Sequence, residues 1–429
     1  AAIELVDYVV IDTHAEPLSI IQAVEPEIFV KGYEYSQHGT EKTRAETRAV
    51  EGAGGRMLFS PGDFVLSSSS VIDSNPPDLS FEKLLMLMQV EKVSFGDLQS
   101  AIENPGDLTI TILGDLIVDS TTETSVIGGF RKTPTASVRV DAHRQFVGGA
   151  GIVAKHMAEM GVHAELISVV GNDDAGKFAL ADLASAGVKC QIQTLQERPT
   201  THKNAVVADG YSLLRIDTVE NRAVDEVVVN CIVDALRSCK SDAVVFSDFR
   251  HGIFNKETIP RYMTALPQEM FRVADSQVAS RWGNILDFAG CDLITPNEEE
   301  VRFAMGDQDT VIRPLGSALY EKFGCEVLML KVGSRGMLTY RPAARSVDRP
   351  AFFAVDSLVK GSAIDPVGAG DAMLAYGTVA YMTTKSEVVA AIIGSLAAGL
   401  ECEQQGNIPV TLIQMQDRID EFRSMADHS

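Results

Sequence analysis

The chain has 429 residues, 45% of them hydrophobic, which is enough apolar material for two or three domains of roughly 100–200 residues each. Its formal net charge of −22 at pH 7 argues against nucleic acid or an anionic membrane as the main partner. The apolar runs are short, no signal-peptide pattern is present, and the six cysteines lack C-x-x-C or metal-site spacing. We therefore expect a cytoplasmic protein with reduced thiols and no membrane contact.

Residues 1–75 predict one part of an α/β domain. Two strand-like runs, VDYVVI and EIFVKG, flank an amphipathic helix candidate, PLSIIQAVEP. These elements are too few for a complete sheet, so this zone predicts a partial domain.

Residues 76–106 predict a helical connector. Pro76 and Pro77 interrupt the chain, and the following segment contains two short helix patterns. The apolar cluster around Leu84 and Met88 is typical of a surface that packs on a neighbouring element.

Residues 107–429 alternate between predicted strands and helices. Apolar runs such as LTITILGD, AELISVVG, DAVVFSDF and EVLMLKVG are separated by helical patterns. Near-continuous apolar strands of this kind indicate a parallel sheet with helices on both faces, which binds ligands at the carboxyl ends of its strands. The segment TASVRVDAHRQFVGG breaks the alternation, and we interpret it as part of a small β lid over the site.

The stretch SAIDPVGAGDAMLAYG carries the strongest local signal for chemistry. Gly368, Ala369 and Gly370 directly precede Asp371 and an apolar run with helical character. A glycine-rich turn that opens a helix presents free N–H groups and the positive end of the helix dipole, and therefore binds anions. An aspartate fixed beside it can remove a proton, a combination that suits phosphoryl transfer. An ordinary helix cap is the alternative explanation of Asp371.

From residue 108 to about 410 the sequence resembles the ribokinase-like PfkB family of sugar kinases. The stretches GGAGIVAKHMAEMGVHAELISVVGNDDAGKFALADLASAGV and DPVGAGDAM carry this resemblance. Within the family, LLRID, VFSDF and LITPNEEE look most similar to the kinase half of bifunctional heptose-phosphate kinase/adenylyltransferases. The resemblance implies a ribokinase-like fold, ATP and Mg²⁺ as cofactors, a sugar or sugar-phosphate substrate, and a homodimer formed through the lid.

The N-terminal zone resembles the second half of the adenylyltransferase domain of the same enzymes, which implies a partial Rossmann-like nucleotidyltransferase domain. The runs that carry it are LVDYVVIDTHAEPLSIIQAVEPEIFVKGYEY and LSSSSVI. The H-x-G-H motif of the first half is absent, and His14 and His38 do not lie in such a motif. Two explanations of the missing motif remain open: it lies in residues that precede this sequence, or the domain is a relic.

The resemblance assigns the catalytic roles to the glycine-rich turn. Asp371 is implied to be the base that takes the proton from the attacking sugar hydroxyl. The amides of Gly368, Ala369 and Gly370 are implied to stabilise the charge on the transferred phosphoryl group.

The pair Asn297 and Glu300, in TPNEEE, is implied to lie near the triphosphate and to hold Mg²⁺ through water. A capped helix with acidic residues in its first turn is the alternative explanation.

The remaining family positions divide into a sugar site and a nucleotide site. Sugar contacts are implied for Asp115, Asp119, Gly148 and Gly149, for which a strand-end acid and turn glycines are the alternatives. Nucleotide contacts are implied for Lys331, Gly333, Gly336 and Ser395, of which Ser395 is equally explained as part of a core helix.

Two departures from the family pattern affect the substrate. Ile152 stands where the family has an asparagine that touches the sugar, and His251 and Gln277 stand where heptose kinases tend to have lysines. Arg250, His251 or Arg281 could substitute for those lysines, but each is equally explained as a solvated surface residue. The leading hypothesis is an ATP-dependent sugar kinase. The alternatives are a degenerate kinase that senses a sugar or nucleotide, and the kinase half of a bifunctional enzyme that makes a nucleotide-sugar precursor.

Overall fold

The computed structural model describes residues 17–32, 41–60, 79–129, 136–278, 283–342, 351–361 and 363–427. The chain divides into two compact units, Ala1–Leu79 and Ser80–Ser429. The predicted strand VDYVVI and the histidines His14 and His38 lie outside the described residues.

The first unit contains a small parallel β–α–β arrangement. Its described elements are α1 (Leu18–Val24), β1 (Ile28–Gly32), α2 (Glu41–Gly52) and β2 (Arg56–Ser60). Strands β1 and β2 pair in parallel. The helix predicted in PLSIIQAVEP and the strand predicted in EIFVKG are therefore both present.

The second unit is built on a nine-stranded sheet. Its strands are β3 (Thr109–Gly114), β6 (His163–Gly171), β7 (Lys189–Leu195), β10 (Ala243–Asp248), β11 (Phe271–Ser276), β12 (Leu293–Ile294), β13 (Val327–Lys331), β14 (Met337–Tyr340) and β15 (Phe352–Val355). They follow the order β15-β14-β13-β12-β11-β10-β3-β6-β7. The pairings from β13 to β7 are parallel, as the sequence predicts, whereas β14 and β15 add an antiparallel edge that the sequence analysis does not predict.

Helices cover both faces of this sheet. They are α3 (Leu79–Glu91), α4 (Phe95–Glu103), α5 (Ala150–Glu159), α6 (Asp174–Ser185), α7 (Glu226–Ser238), α8 (Thr258–Ala265), α9 (Glu298–Met305), α10 (Ile312–Phe323), α11 (Ala369–Thr384), α12 (Glu387–Cys402) and α13 (Leu412–Asp427). Successive residues of the fully buried strand β10 enter different cores: Val245 packs in one and Val244 and Phe246 in the other. This alternation explains why the central strands read as continuous apolar runs.

Helices α3 and α4 pack as part of the second unit. Phe81, Leu84 and Met88 of α3 join the same core as Leu98 of α4, and the Phe81 and Phe422 ring centroids lie 5.4 Å apart. The segment predicted as a connector is therefore packed against the kinase-like core. None of the helices in the described part of the chain has the length and apolar character of a membrane span.

A separate four-stranded sheet forms the lid. Its strands are β4 (Leu116–Gly129), β5 (Ala136–Gly149), β8 (Thr201–Ala208) and β9 (Tyr211–Thr218), in the order β5-β4-β8-β9. Strand β5 is the predicted segment TASVRVDAHRQFVGG without its first residue. Strand β4 leads directly from the end of β3, so the lid stands at the carboxyl edge of the main sheet.

Candidate active site

The glycine-rich turn opens α11 in a conformation that requires glycine. Gly368 has φ of 86°, in the left-handed region, and precedes the first helical residue, Ala369. A Cβ at Gly368 would lie 2.2 Å from Asn407 Oδ1 and 2.7 Å from Glu401 Oε1. The first N–H groups of a helix have no acceptor within it. The turn can therefore present these amides to an anion, as the sequence predicts.

Asp371 lies in the first turn of α11 and is only 8% exposed. Burial, followed by the carboxylate of Asp275 and more weakly that of Asp119, raises the pKa of Asp371 to about 8, against the opposing charges of Lys331 and Lys203. A carboxyl group with a pKa near neutrality can both accept and release a proton at physiological pH.

Lys331, at the end of β13, brings a positive charge to the start of α11. Its Nζ donates to Asp275 Oδ1 at 2.8 Å and lies 3.4 Å from the position that a Cβ of Gly370 would take. Burial lowers the pKa of Lys331, but the carboxylates of Asp275 and Glu300 outweigh it, so that the pKa is raised and the ammonium stays charged. Asp275 is the second-last residue of β11, and its Oδ1 also accepts from Thr295 Oγ1 at 2.9 Å. Its only sequence signal is its place after an apolar strand.

Asn297 and Glu300 form a reciprocal capping box at the start of α9. The Glu300 N–H donates to Asn297 Oδ1 at 2.9 Å, while Asn297 N and Nδ2 donate to the two Glu300 oxygens at 2.7 and 2.8 Å. This is the capped helix that the sequence left open as the alternative. Burial raises the pKa of Glu300 to about 7 although Lys331 opposes the shift, and Asp275 adds to it. Glu300 is thus both a helix cap and a neighbour of the Lys331–Asp275 pair.

The carboxylates near Lys331 fit a magnesium ion that takes most of its ligands from phosphate oxygens and water. Among the described residues, no group of three or more His, Cys, Asp or Glu side chains could hold a metal ion. Mg²⁺ in phosphoryl-transfer sites typically uses one or two carboxylates and takes its other ligands from phosphate oxygens and water. The buried carboxylates of Glu300 and Asp275 supply that number.

The predicted sugar residues converge beneath the lid. Asp119, on β4, accepts from Asn407 Nδ2 at 3.2 Å, and burial raises its pKa. A Cβ at Gly148 would lie 2.1 Å from Asp119 Oδ2, and a Cβ at Gly149 would lie 2.4 Å from the Asp115 carbonyl oxygen. Both glycines therefore permit a close approach that no other residue allows.

Asp115 holds the loop that follows β10. Its Oδ2 accepts the N–H groups of Phe249 at 2.9 Å and His251 at 3.2 Å, while Oδ1 has no partner among the described residues. Burial raises the pKa of Asp115. Its contacts are those of a group that shapes the wall of the site.

Lys203 is a functional candidate that the sequence analysis missed. In the lid it pairs in register with Asp119 on one side and Asp217 on the other. Its Nζ lies 5.7 Å from the Phe249 ring centroid and makes no ion pair within 4 Å among the residues that the structure describes. Burial lowers the pKa of Lys203, and the charges of Asp119 and, more weakly, Asp371 oppose this. Its only sequence signal is a lysine inside a strand.

Neither Arg250 nor His251 is a free cation that could replace the missing lysines. Arg250 pairs with Asp248 and Asp287, each at 2.8 Å, and its side chain is 9% exposed. Burial and two neighbouring cations lower the pKa of His251 to about 4, so the imidazole is neutral. The described geometry therefore leaves neither residue as an unpaired cation, the substitution stays a hypothesis, and Arg281 lies outside the described residues.

Ile152 has a fully buried apolar side chain in α5. It cannot supply the hydrogen bond that the family asparagine makes. The site nevertheless contains an asparagine amide, because Asn407, in the loop after α12, reaches Asp119.

A cavity of about 590 Å³ opens beside the glycine-rich turn. Its lining includes the predicted nucleotide residues Lys331, Gly333, Gly336 and Ser395, together with Gly370. Gly336 has φ of 88°, and a Cβ there would lie 2.1 Å from a backbone oxygen of β15. The volume is within the range of small-molecule sites, roughly 300–1,000 Å³.

Two curated relatives illustrate the sequence similarity of this chain. The bifunctional protein HldE of Marinomonas sp. (strain MWYL1) is 26% identical over 342 residues, which cover 77% of this chain and 67% of the relative. The bifunctional protein HldE of Caulobacter vibrioides is 27% identical over 312 residues, which cover 72% of this chain and 62% of the relative. The chain thus spans about two thirds of the length of these relatives, or slightly less.

Solved structures show the same fold. Phosphofructokinase-2 from Escherichia coli in complex with substrates and products matches with a TM-score of 0.61 at 18% identity, over 74% of this chain and 99% of that chain. Arabidopsis thaliana ribokinase complexed with ribose and ATP matches with a TM-score of 0.57 at 16% identity, over 73% and 99%. The second unit therefore has the ribokinase-like fold. Residues 109–412 match the model of the pfkB family carbohydrate kinases, and the chain belongs to that family.

Proposed function

We propose that this carbohydrate kinase transfers the γ-phosphoryl group of ATP to a hydroxyl of a sugar or sugar phosphate, with Asp371 as the base. The observation that carries the proposal is the place of Asp371. It is buried between two groups of polar residues. We call the first the phosphate side, which consists of the glycine-rich turn with Asp275, Glu300 and Lys331. We call the second the sugar side, which consists of Asp119, Lys203 and Asn407.

The chemistry follows from this arrangement. The acceptor hydroxyl loses its proton to Asp371 as its oxygen bonds to the γ-phosphorus, the bond from that phosphorus to the bridging oxygen breaks, and ADP leaves. The amides of Gly368, Ala369 and Gly370, together with the Lys331 ammonium, stabilise the negative charge on the transferred group. Mg²⁺, held beside Glu300 and Asp275, supplies neutralisation of the phosphate charges when it is bound.

The cavity beside the turn is the proposed ATP site. Lys331 and Gly370 line its phosphate end, and Gly333, Gly336 and Ser395 line the remainder. Glycines at 333 and 336 leave room for close contact with the ribose and phosphates.

On the sugar side, Asp119 accepts hydroxyl hydrogen bonds, with Gly148 and Gly149 allowing the ring to approach the backbone. The Lys203 ammonium makes no direct hydrogen bond to a carboxylate among the described residues, although the charge of Asp119 and, more weakly, that of Asp371 act on it. A partly buried ammonium without a direct acceptor favours a substrate that carries an anionic group, such as a sugar phosphate.

We also propose a homodimer formed through the lid. The lid strands expose a set of large apolar side chains: Val126, Ile127, Val140, Tyr211, Leu213, Leu214 and Ile216. Contiguous exposed apolar side chains of this kind mark interaction surfaces. Analytical ultracentrifugation should give a dimer, and Leu214→Asp with Ile216→Asp should give a monomer. A monomeric wild type would contradict the proposal.

The first unit is proposed to be a nucleotidyltransferase-like piece, and the kinase to be one activity of a bifunctional protein. This follows from the resemblance of residues 1–75 and from the bifunctional relatives. A cytoplasmic location likewise remains a prediction.

ATP consumption against a panel of sugars and sugar phosphates tests the kinase proposal. We expect turnover with one acceptor, reduced to a small residual rate in Asp371→Asn. Asp174→Asn is the matched control, because Asp174 also lies in the first turn of a helix but its side chain is 100% exposed. Binding of ATP without turnover on any acceptor would favour the degenerate, ligand-sensing alternative.

A further inference from the structure

Three buried oxygens behind the glycine-rich turn have no hydrogen-bond donor among the described residues. They are Glu401 Oε1 and Oε2 and Asn407 Oδ1. Glu401 is fully buried, and Asn407 is 4% exposed. Buried polar atoms are nearly always paired, and a bare buried carboxylate is strongly disfavoured. This cluster therefore demands a physical explanation.

The orientation of Asn407 narrows the explanation. Its Nδ2 donates to Asp119 Oδ2, and its Oδ1 lies on the opposite side, toward Glu401. That oxygen and Glu401 Oε1 both lie within 3 Å of the point where a Cβ of Gly368 would be, so they are neighbours. The N–H of Ile408 donates to the Gly406 carbonyl oxygen and also lies near the Glu401 carboxyl, where it is the weakest influence on its pKa and opposes the rise. Two adjacent acceptors can bond only if one of them carries a proton.

We propose that Glu401 is a neutral carboxylic acid in the active enzyme and donates its proton to Asn407 Oδ1. Glu401, Asn407 and Asp119 then form one hydrogen-bonded row from the back of the glycine-rich turn to the sugar side. Glu401 is a positioning residue that acts through Asn407. The functional meaning of the row rests on the proposed kinase function, whereas the protonation of Glu401 does not.

The electrostatic surroundings support a proton on Glu401. Burial, then the carboxylates of Asp371 and Asp365, raise the pKa of Glu401 to about 8. The other titratable groups that face it are Tyr376 and Cys402, neither of which brings a positive charge at neutral pH. Glu401 also lies in the last turn of α12, where the helix dipole disfavours negative charge.

The alternative source of positive charge is a cation, and the geometry favours it less. Asp365 already accepts the N–H groups of Val367 and Gly406 at 3.1 and 3.3 Å. A proton satisfies Asn407 Oδ1 with no further ligand.

The consequence is a link between the two halves of the site. The row fixes Asp119, which is proposed to receive the sugar hydroxyls, relative to the turn that is proposed to receive the phosphoryl group. Below a pH of about 8 the proton is present and the row is closed. Above that pH the carboxylate repels Asn407 Oδ1, and the row opens.

Infrared difference spectroscopy tests the protonation without any substrate. The spectrum of the wild type minus that of Glu401→Gln, recorded at pH 7, should contain a carboxylic-acid C=O band that disappears as the pH is raised through about 8. A carboxylate band at pH 7 instead would overturn the proposal. Glu321→Gln, an exposed residue of α10, is the matched control and should give no such band.

Kinetics then tests the positioning role. The glutamine amide can donate to Asn407 in place of the proton, so Glu401→Gln should keep its activity at neutral pH and lose the alkaline decline of the wild type. Glu401→Leu cannot donate and should lose about 10- to 100-fold in kcat/KM for the sugar, with the KM for ATP nearly unchanged. Equal loss in both variants, or an unchanged alkaline decline in Glu401→Gln, would contradict the role.

Replacing KCl by tetramethylammonium chloride separates the proton from a cation. Any difference in activity between the two salts should be the same in the wild type and in Glu401→Gln. A dependence on K⁺ that Glu401→Gln abolishes would place a cation in the row and overturn the proposal. Failure of the wild type to phosphorylate any acceptor would count against the proposed function alone, because the infrared result stands apart from turnover.

Discussion

The phosphate side and the sugar side of the site differ in how far their polar groups are satisfied. On the phosphate side, Lys331 and Thr295 both donate to Asp275, and the Glu300 carboxylate is held by Asn297. On the sugar side, Lys203 has no ion-pair partner within 4 Å among the described residues. The first is organised before any ligand arrives, which suits stabilisation of a transition state. The second leaves the Lys203 ammonium for a ligand to satisfy, so we propose that it sets the specificity for the acceptor.

A substitution on the phosphate side should have the largest effect on kcat and on stability. Lys331→Met leaves two buried carboxylates without their cation, so we expect about a 100-fold or greater loss of kcat and about 3 kcal/mol lower unfolding free energy. Steady-state kinetics measures kcat, and urea denaturation measures the unfolding free energy. Lys322→Met, an exposed position on α10, is the control and should change neither. Normal kcat in Lys331→Met would contradict the assignment of the phosphate side.

Two glycines of the same turn provide a matched test of its geometry. Gly368→Ala places a Cβ 2.2 Å from Asn407 Oδ1 at a positive φ, whereas Gly370→Ala meets only the flexible Lys331 side chain, at 3.4 Å from Nζ and 3.8 Å from Cδ. We therefore expect kcat to fall about 10- to 100-fold in the first variant and only severalfold in the second. Equal loss in the two would mean that the turn acts through chain flexibility rather than through this packing.

A substitution on the sugar side should change mainly the KM for the acceptor. Lys203→Met should raise the KM for an anionic acceptor about 10- to 100-fold and leave the KM for ATP within about twofold. Lys203→Arg keeps the charge and should recover most of the loss. The comparison of KM values over the substrate panel is the readout. Best turnover with a neutral sugar, unaffected by Lys203→Met, would show that the ammonium does not recognise the acceptor.

Asp371 should destabilise the fold while it serves catalysis. Its pKa is raised from 3.8 to about 8, so between these values the folded state keeps a proton that the unfolded chain has released. The unfolding free energy therefore falls as pH rises through this window. Asp371→Asn should melt above the wild type at pH 8, by about 2–4 °C for each kcal/mol gained, with a smaller difference near pH 4. Differential scanning calorimetry at both pH values is the test, and a lower Tm at pH 8 would contradict it.

The sequence predicts what local pattern controls. The apolar runs predict the parallel strands, and the glycine-rich turn with the following apolar run predicts the start of α11. The sequence does not predict the antiparallel strands β14 and β15, because each has only four residues, too few to show a clear period. It does not predict β9 either, because every side chain of that strand is exposed and no alternation of buried and exposed residues marks it.

The residues missed at the site depend on long-range pairing. Lys203 reaches Asp119 only because β8 pairs with β4, and Asn407 reaches Asp119 across 288 positions of the chain. Asp275 meets Lys331 because β11 and β13 end at the same edge of the sheet. No spacing in the sequence encodes such contacts, and only the glycines at 148 and 368 hint that another side chain fills the space beside them.

The pH dependence of kcat/KM for the acceptor tests the central claim most directly, because it reports the protonation of the base in the free enzyme. Because the proposed alkaline decline from Glu401 overlaps this range in the wild type, the profile is recorded in the Glu401→Gln variant. We predict that its kcat/KM rises with pH to an apparent pKa of about 8, the value for Asp371, and that adding Asp371→Asn leaves a residual rate without this rise. A Glu401→Gln profile that is flat through pH 8, or the same rise after Asp371→Asn is added, would show that Asp371 is not the base.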